Sequence, residues 1–177
     1  MQYLRDTAFI LKRINFSDSD RFITLFTRNH GKVDVVAKGV RKITSRRAGS
    51  LELLNLVDFQ AVRSSKNYIL TEVKLISSHN HLKQDLEQIE KVFSMCEVIE
   101  AILPHGQRQA DVFDLLTRAA DKVGENTKNM AYFQAKLLTL LGFWDGKESF
   151  KNDDHVKSII EQVIERKLKA NSAFTSL

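Results

Sequence analysis

The chain has 177 residues, 43% of them hydrophobic and 28% charged, enough for one domain with a full core or for two small ones. Its net charge is +5 and its pI is about 9.3, a balance that favours an anionic partner. One cysteine, Cys96, excludes an internal disulfide and a cysteine-rich zinc site, and no apolar run approaches the roughly 18 residues of a membrane span.

Cys96 itself reads as a small hydrophobe on a helix. The opening MQYLRDTAFILKRI carries Asp6 inside its apolar stretch and has no small-residue cleavage site, so a cytoplasmic protein is expected. Charge is unevenly placed. Residues 1–78 hold 14 Lys and Arg against 7 Asp and Glu, whereas residues 79–177 hold 13 against 15. The basicity belongs to the first half, which predicts two domains, 1–78 and 79–177, with different partners.

In chain order, Arg5 to Ile14 has the apolar centre AFIL between charged flanks, the pattern of a strand buried at its middle. NFSDSD is a polar connection. Phe22 to Arg28 is dense in β-branched and aromatic residues, and Asn29 to Lys32 (NHGK) supplies the residues that tolerate positive φ, so a hairpin with Val33 to Ala37 is expected. A loop bracketed by Gly39 and Gly49 follows. Val57, Phe59 and Ala61 then alternate with Asp58 and Gln60. Ser64 to Asn67 reads as a second turn, and Tyr68 to Ile76 as a strand whose inner face is Ile69, Val73 and Leu75.

Five strands in under 80 residues close most economically into a small barrel, oligonucleotide-binding (OB) or SH3-like. After Ser78 the period changes to three and four. Leu86, Ile89, Phe93, Cys96, Ile99 and Leu103 mark a helix ended by Pro104-His105-Gly106. Val112, Leu115, Leu116, Ala119 and Val123 mark a second, capped at Asp111 and stopped at Gly124. Met130, Phe133, Leu137, Leu138 and Leu141 mark a third, stopped at Gly142. Val156, Ile159, Ile160, Val163 and Leu168 mark a fourth, capped at Asp153 or Asp154. The fold class is therefore α+β, a barrel followed by a helical bundle.

The chemistry-bearing residues offer little for catalysis. There is no phosphate-binding glycine loop and no zinc spacing. His79 and His81 read as solvated residues between the two parts rather than a metal pair, and His30 as a turn residue. Asp18 and Asp20 read as loop and capping residues rather than a metal-binding carboxylate pair. No enzyme, metal or cofactor is expected.

The basic stretch is different. Between Arg28 and Arg47 stand Arg28, Lys32, Lys38, Arg41, Lys42, Arg46 and Arg47, with Asp34 as the one acid. Like charges repel, so such a run is held beside a sheet most readily by a phosphate backbone. Phe16, Phe22, Phe26 and Tyr68 are nearby in sequence; the phenylalanines read as barrel core and Tyr68 as either core or a stacking platform.

Several pieces of the chain carry a resemblance: Leu25-Phe26-Thr27-Arg28, His30-Gly31-Lys32, Ala37-Lys38-Gly39-Val40-Arg41-Lys42, Ser45-Arg46, Leu53 to Phe59 and Leu70-Thr71-Glu72. In order and spacing they resemble the N-terminal domain of the RecO family of DNA repair proteins. Val112-Phe113-Asp114-Leu115-Leu116 and LLTLLGF (Leu137 to Phe143) extend the likeness more loosely. The resemblance implies an OB barrel before a helical domain in a bacterial, nucleoid-associated protein. It implies binding to single- and double-stranded DNA, annealing of complementary strands, and recombinase loading with RecR on strands coated by single-strand binding protein. Lys38, Arg41, Lys42, Arg46 and Arg47 would line the DNA face, supported by Arg28 and Lys32. The C-terminal tail of single-strand binding protein would meet Phe113, Arg118, Lys122, Lys136 and Leu137. After LLGF the four cysteines that many members carry are absent, so no zinc is expected. The alternative reading is a protein-interaction adaptor of the repair machinery that touches DNA only incidentally.

Overall fold

The computed structural model describes residues 3–122, 128–145, 153–165 and 168. The chain forms two compact units. Met1–His79 goes with Leu103–Gln109, and Asn80–Ile102 goes with Ala110–Leu177.

The first unit is a closed barrel of five strands: β1 (Tyr3–Asn15), β2 (Arg21–Thr27), β3 (Gly31–Ala37), β4 (Leu56–Arg63) and β5 (Tyr68–Ser77), in the order β1-β2-β3-β5-β4. β1 is long enough to serve two neighbours. Its first half pairs with β4 and its second half with β2, and a bulge between Ile10 and Lys12 bends it from one to the other. The parallel β3–β5 contact closes the barrel and leaves no open edge. This order identifies the OB fold and removes the SH3-like alternative.

The barrel interior is filled by alternate residues of every strand: Ala8, Ile10, Ile23, Leu25, Val35, Ala37, Val57, Phe59, Ala61 and Leu70, capped by Val40 and Leu51 from the loop between β3 and β4. One expectation is corrected here. On β5 the buried residue is Leu70, while Leu75 is 40% exposed. A register shift in the β4–β5 pairing puts Leu70 inside in place of Ile69. Gln60 faces Glu72 but Ala61 faces Leu70, so the inward positions change parity along the strand.

Two further expectations change. His79 is buried, its Nδ1 3.0 Å from the Leu54 carbonyl and its ring stacked 6.0 Å from Phe9, so it is a structural residue rather than a solvated one. Phe16 is 59% exposed, outside the core, with its ring edge-on to Phe22 at 4.4 Å. Phe26 is buried as expected.

The second unit contains α1 (Leu86–Ile102), α2 (Ala110–Lys122), α3 (Lys128–Leu140) and α4 (Asp153–Val163). α3 packs against both α2 and α4. The buried stripes on α2, α3 and α4 follow the apolar spacing: Val112, Leu115, Leu116 and Ala119, then Phe133, Leu137 and Leu138, then Val156 and Ile160. α1 is rotated from expectation. Val92, Met95, Cys96, Val98 and Ile99 are inside, whereas Leu86 and Phe93 are exposed. An apolar-rich helix offers more than one stripe, and packing selects among them. Asp111 lies inside the first turn of α2, where its charge favours the helix dipole, rather than before the helix as a cap. Gly142, at φ +79°, ends α3 by letting its own amide and that of Phe143 reach back to Thr139 and Leu138. Val123 and Gly124 lie outside the described residues. No helix among the described residues is long and apolar enough to cross a membrane.

Candidate nucleic-acid interface

The sequence run Arg28 to Arg47 is divided in space by the hairpin that carries it. Arg21 faces Ala37 at one end of the β2–β3 ladder and Thr27 faces Gly31 at the other. Six steps along a strand span about 20 Å. Arg28 and Lys32 therefore sit one strand length from the loop that follows Ala37. Arg28 is exposed, but Lys32 is 5% exposed at the start of β3 and offers no open contact surface.

The remaining five cations lie on the loop between β3 and β4, and hydrogen bonds pin that loop to the barrel. The Asp20 carboxylate accepts from the Gly39 amide at 2.8 Å and from the Ser19 hydroxyl at 3.1 Å. The Arg41 amide donates to the Ser19 carbonyl, and the Arg41 guanidinium donates to the Ser17 carbonyl at 2.6 Å. Arg47 donates to the carbonyls of Lys38 (2.6 Å) and Leu70 (3.3 Å). Asn55 holds the far side of the loop through the carbonyls of Gly49 and Ser50. Arg13 pairs with Glu52 just beyond it.

This arrangement separates two roles. Arg41 and Arg47 spend donors on backbone carbonyls and shape the loop. Lys38, Lys42 and Arg46 project from it, exposed, and none of the three joins an ion pair among the described residues. Ile43 stands fully exposed among them, and Phe16 is exposed on the β1–β2 connection to which the loop is tied. The Gly39 amide, followed by the Ser19 hydroxyl and the charges of Lys38 and Lys42, holds the Asp20 carboxyl below its usual range against a smaller opposing effect of desolvation. The signal for Asp20 was in the sequence as a polar residue before a strand; its partner, 19 residues away, was not.

On the helical unit, Arg118 and Lys136 are exposed, whereas Phe113 and Leu137 are 1% and 0% exposed. Both apolar side chains belong to the helical core, because α2 and α3 turn their apolar stripes inward. The side chain of Lys122 lies outside the described residues. No group of three or more His, Cys, Asp or Glu among the described residues is placed to hold a metal ion.

A closed OB barrel with a pinned, outward-facing cationic loop, followed by a helical unit, defines the class: an oligonucleotide-binding-fold protein with an appended helical domain. Residues 1–79 match the family described as Recombination protein O N terminal. The chain is 32% identical to the DNA repair protein RecO of Symbiobacterium thermophilum over 138 residues, covering 76% of this chain and 54% of that protein. It is 31% identical to the DNA repair protein RecO of Geobacter sulfurreducens over 146 residues, 81% of this chain and 60% of the relative. The same protein of Rubrobacter xylanophilus is 31% identical over 147 residues, 81% and 59%. The chain belongs to the RecO family, and it spans little more than half the length of these curated relatives.

Proposed function

We propose that the chain is a DNA repair recombination mediator that works without a chemical step. It binds single- and double-stranded DNA, anneals complementary strands, and helps load a recombinase onto strands coated by single-strand binding protein. Residues 1–78 form its DNA-binding domain and residues 79–177 its helical domain, apart from His79 and the Leu103–Gln109 segment, which belong to the barrel unit. Partners under this reading are DNA, RecR and the tail of single-strand binding protein, the last meeting Arg118 and Lys136 on the helical unit. The protein acts in the bacterial cytoplasm, at the nucleoid.

The observation that carries this reading is the loop after β3. Lys38, Lys42 and Arg46 point outward from a backbone that Asp20, Arg41, Arg47 and Asn55 hold in place. Cations fixed in advance neutralise phosphates and release counterions without the cost of ordering a mobile loop. Family membership supplies the DNA repair setting.

Fluorescence anisotropy with a labelled single strand tests it. Arg41→Glu with Arg46→Glu should abolish binding, and wild-type affinity in that variant sinks the assignment of the loop. Wild-type affinity should also fall steeply with salt, by about 0.7 in log K per log unit of salt for each phosphate neutralised on a single strand. Annealing of oligonucleotides coated with single-strand binding protein then tests the mediator role, which fails if coated strands anneal no faster with the protein than without it.

A further inference from the structure

Among the cations of the loop between β3 and β4 stands one large apolar side chain with nothing over it. Ile43 is fully exposed, with Lys42 beside it and Arg46 just beyond. A single exposed isoleucine is ordinary on a protein surface. Two features set this one apart.

The first is a fixed backbone. The Ser45 amide donates to the Lys42 carbonyl at 2.8 Å, which closes a turn with Ile43 and Thr44 at its corner. One residue before that turn, the Arg41 amide and guanidinium are bonded to the Ser19 and Ser17 carbonyls. Ile43 is thus presented outward from a pinned loop, with no neighbouring side chain to cover it. The second feature is charge. Residues 38–51 contain five cations and no Asp or Glu. Lys38, Lys42 and Arg46 are exposed and join no ion pair among the described residues.

We propose that Ile43 is an apolar wedge that enters the stack of double-stranded DNA, so that the loop favours duplexes whose stacking is already broken at a nick. The inference rests on the reading of the loop as a phosphate-binding surface. It adds what phosphate contacts cannot supply, a preference for one place along a duplex. Aliphatic side chains that enter a base step unstack it and bend the duplex, and an interrupted step opens at less cost than an intact one. Isoleucine has no flat face, so it is a poor platform for one unpaired base. Between two base pairs it meets an apolar face on either side. A partner protein would have to bring both an apolar pocket and acidic groups for the surrounding cations. A nicked duplex carries both chemistries in its own repeating structure.

Anisotropy titrations of the full chain with a closed DNA dumbbell, intact or carrying one nick, test this. The two forms have the same length and nearly the same charge, so phosphate contacts alone hold them equally. The wild-type protein should hold the nicked form about tenfold more tightly. Ile43→Ala should bring the two affinities to within about twofold of each other and leave the slope of log K against log salt unchanged, since it removes no cation. Ile43→Leu should keep the preference. A 2-aminopurine beside the nick should brighten on binding the wild-type protein and stay dim with Ile43→Ala. Because Ile43 is fully exposed, alanine there leaves the barrel core untouched. Equal wild-type affinity for the two dumbbells, a preference that survives Ile43→Ala, or an altered salt slope in that variant would each overturn the proposal. So would anionic phosphatidylserine vesicles that bind the wild-type protein more tightly than Ile43→Ala, which would make the residue a membrane contact. Arg41→Glu with Arg46→Glu separates the two readings. If that variant loses DNA while the wild-type protein treats both dumbbells alike, the wedge fails alone. If the variant keeps wild-type affinity, the loop reading fails, and Ile43→Ala still decides the wedge.

Discussion

Replacing Gly31 with alanine tests how the Leu103–Gln109 segment is held on the barrel. Gly31 opens β3 at φ +70°, where a residue with a Cβ pays roughly 1 to 2 kcal/mol. A Cβ placed there would stand 2.1 Å from the Gln107 carbonyl oxygen, 2.5 Å from its carbon and 2.7 Å from its nitrogen. Those atoms are backbone and cannot swing aside as a side chain can. The segment must lift off, losing the 2.9 Å bond from the Gly106 amide to the Lys32 carbonyl, worth about 1 kcal/mol. The exposed contact between His105 and Asp34 goes with it and adds less than about 1 kcal/mol. The total is roughly 3 kcal/mol, a large share of the roughly 5 to 15 kcal/mol that holds a domain folded. Urea unfolding followed through barrel amide signals should show that loss, with Gly106 exchanging its amide proton faster. Gly49→Ala is the control, because nothing lies within 4 Å of its would-be Cβ. A Gly31→Ala protein within about 1 kcal/mol of wild type would refute the account.

Three other outcomes are expected. Asp6→Ala removes an acceptor used by the Thr7 amide, the Asn29 amide and side chain, and His30, and should cost about 1 to 3 kcal/mol in urea unfolding; a smaller loss would mean that these donors find water at no cost. Burial raises the Asp6 carboxyl, but the hydrogen bonds from His30, Asn29 and Thr7 outweigh it and leave it lowered. Its contribution is thus full above the ordinary value of 3.8 and disappears as pH falls through the lower folded value, so the Asn29 amide signal should titrate with a midpoint below 3.8. Asp20 has the same sign: the Gly39 amide shift should change with a midpoint below 3.8, and Asp20→Asn should speed Gly39 amide exchange; a midpoint above 3.8 would contradict the 2.8 Å bond. Phe59→Ala opens a cavity in a barrel core where Phe59 is 1% exposed, and should cost about 3 to 5 kcal/mol by the same unfolding measurement, a value under 2 kcal/mol showing that the barrel collapses to fill it.

The amino-acid sequence by itself determined the strand and helix types, the strand order along the chain and the concentration of positive charge before residue 79. These are local properties: a period of two or of three and four, turn residues between runs, and a charge count. The helix stops at Pro104 and Gly142 were legible for the same reason, since each is set by one residue's backbone. Tertiary structure decided which face of an element is inside. A bulge moved the buried position on β5 to Leu70, and packing turned Phe93 of α1 outward although it lies on the expected stripe. It also divided what the charge count had joined. The hairpin carries Arg28 and Lys32 a strand length from Lys38 to Arg47, buries Lys32, and turns Arg41 and Arg47 toward backbone carbonyls. Arg63, Lys66, Tyr68 and Arg108 are up to 45 positions apart, and only chain closure brings them to one concave surface of the barrel unit.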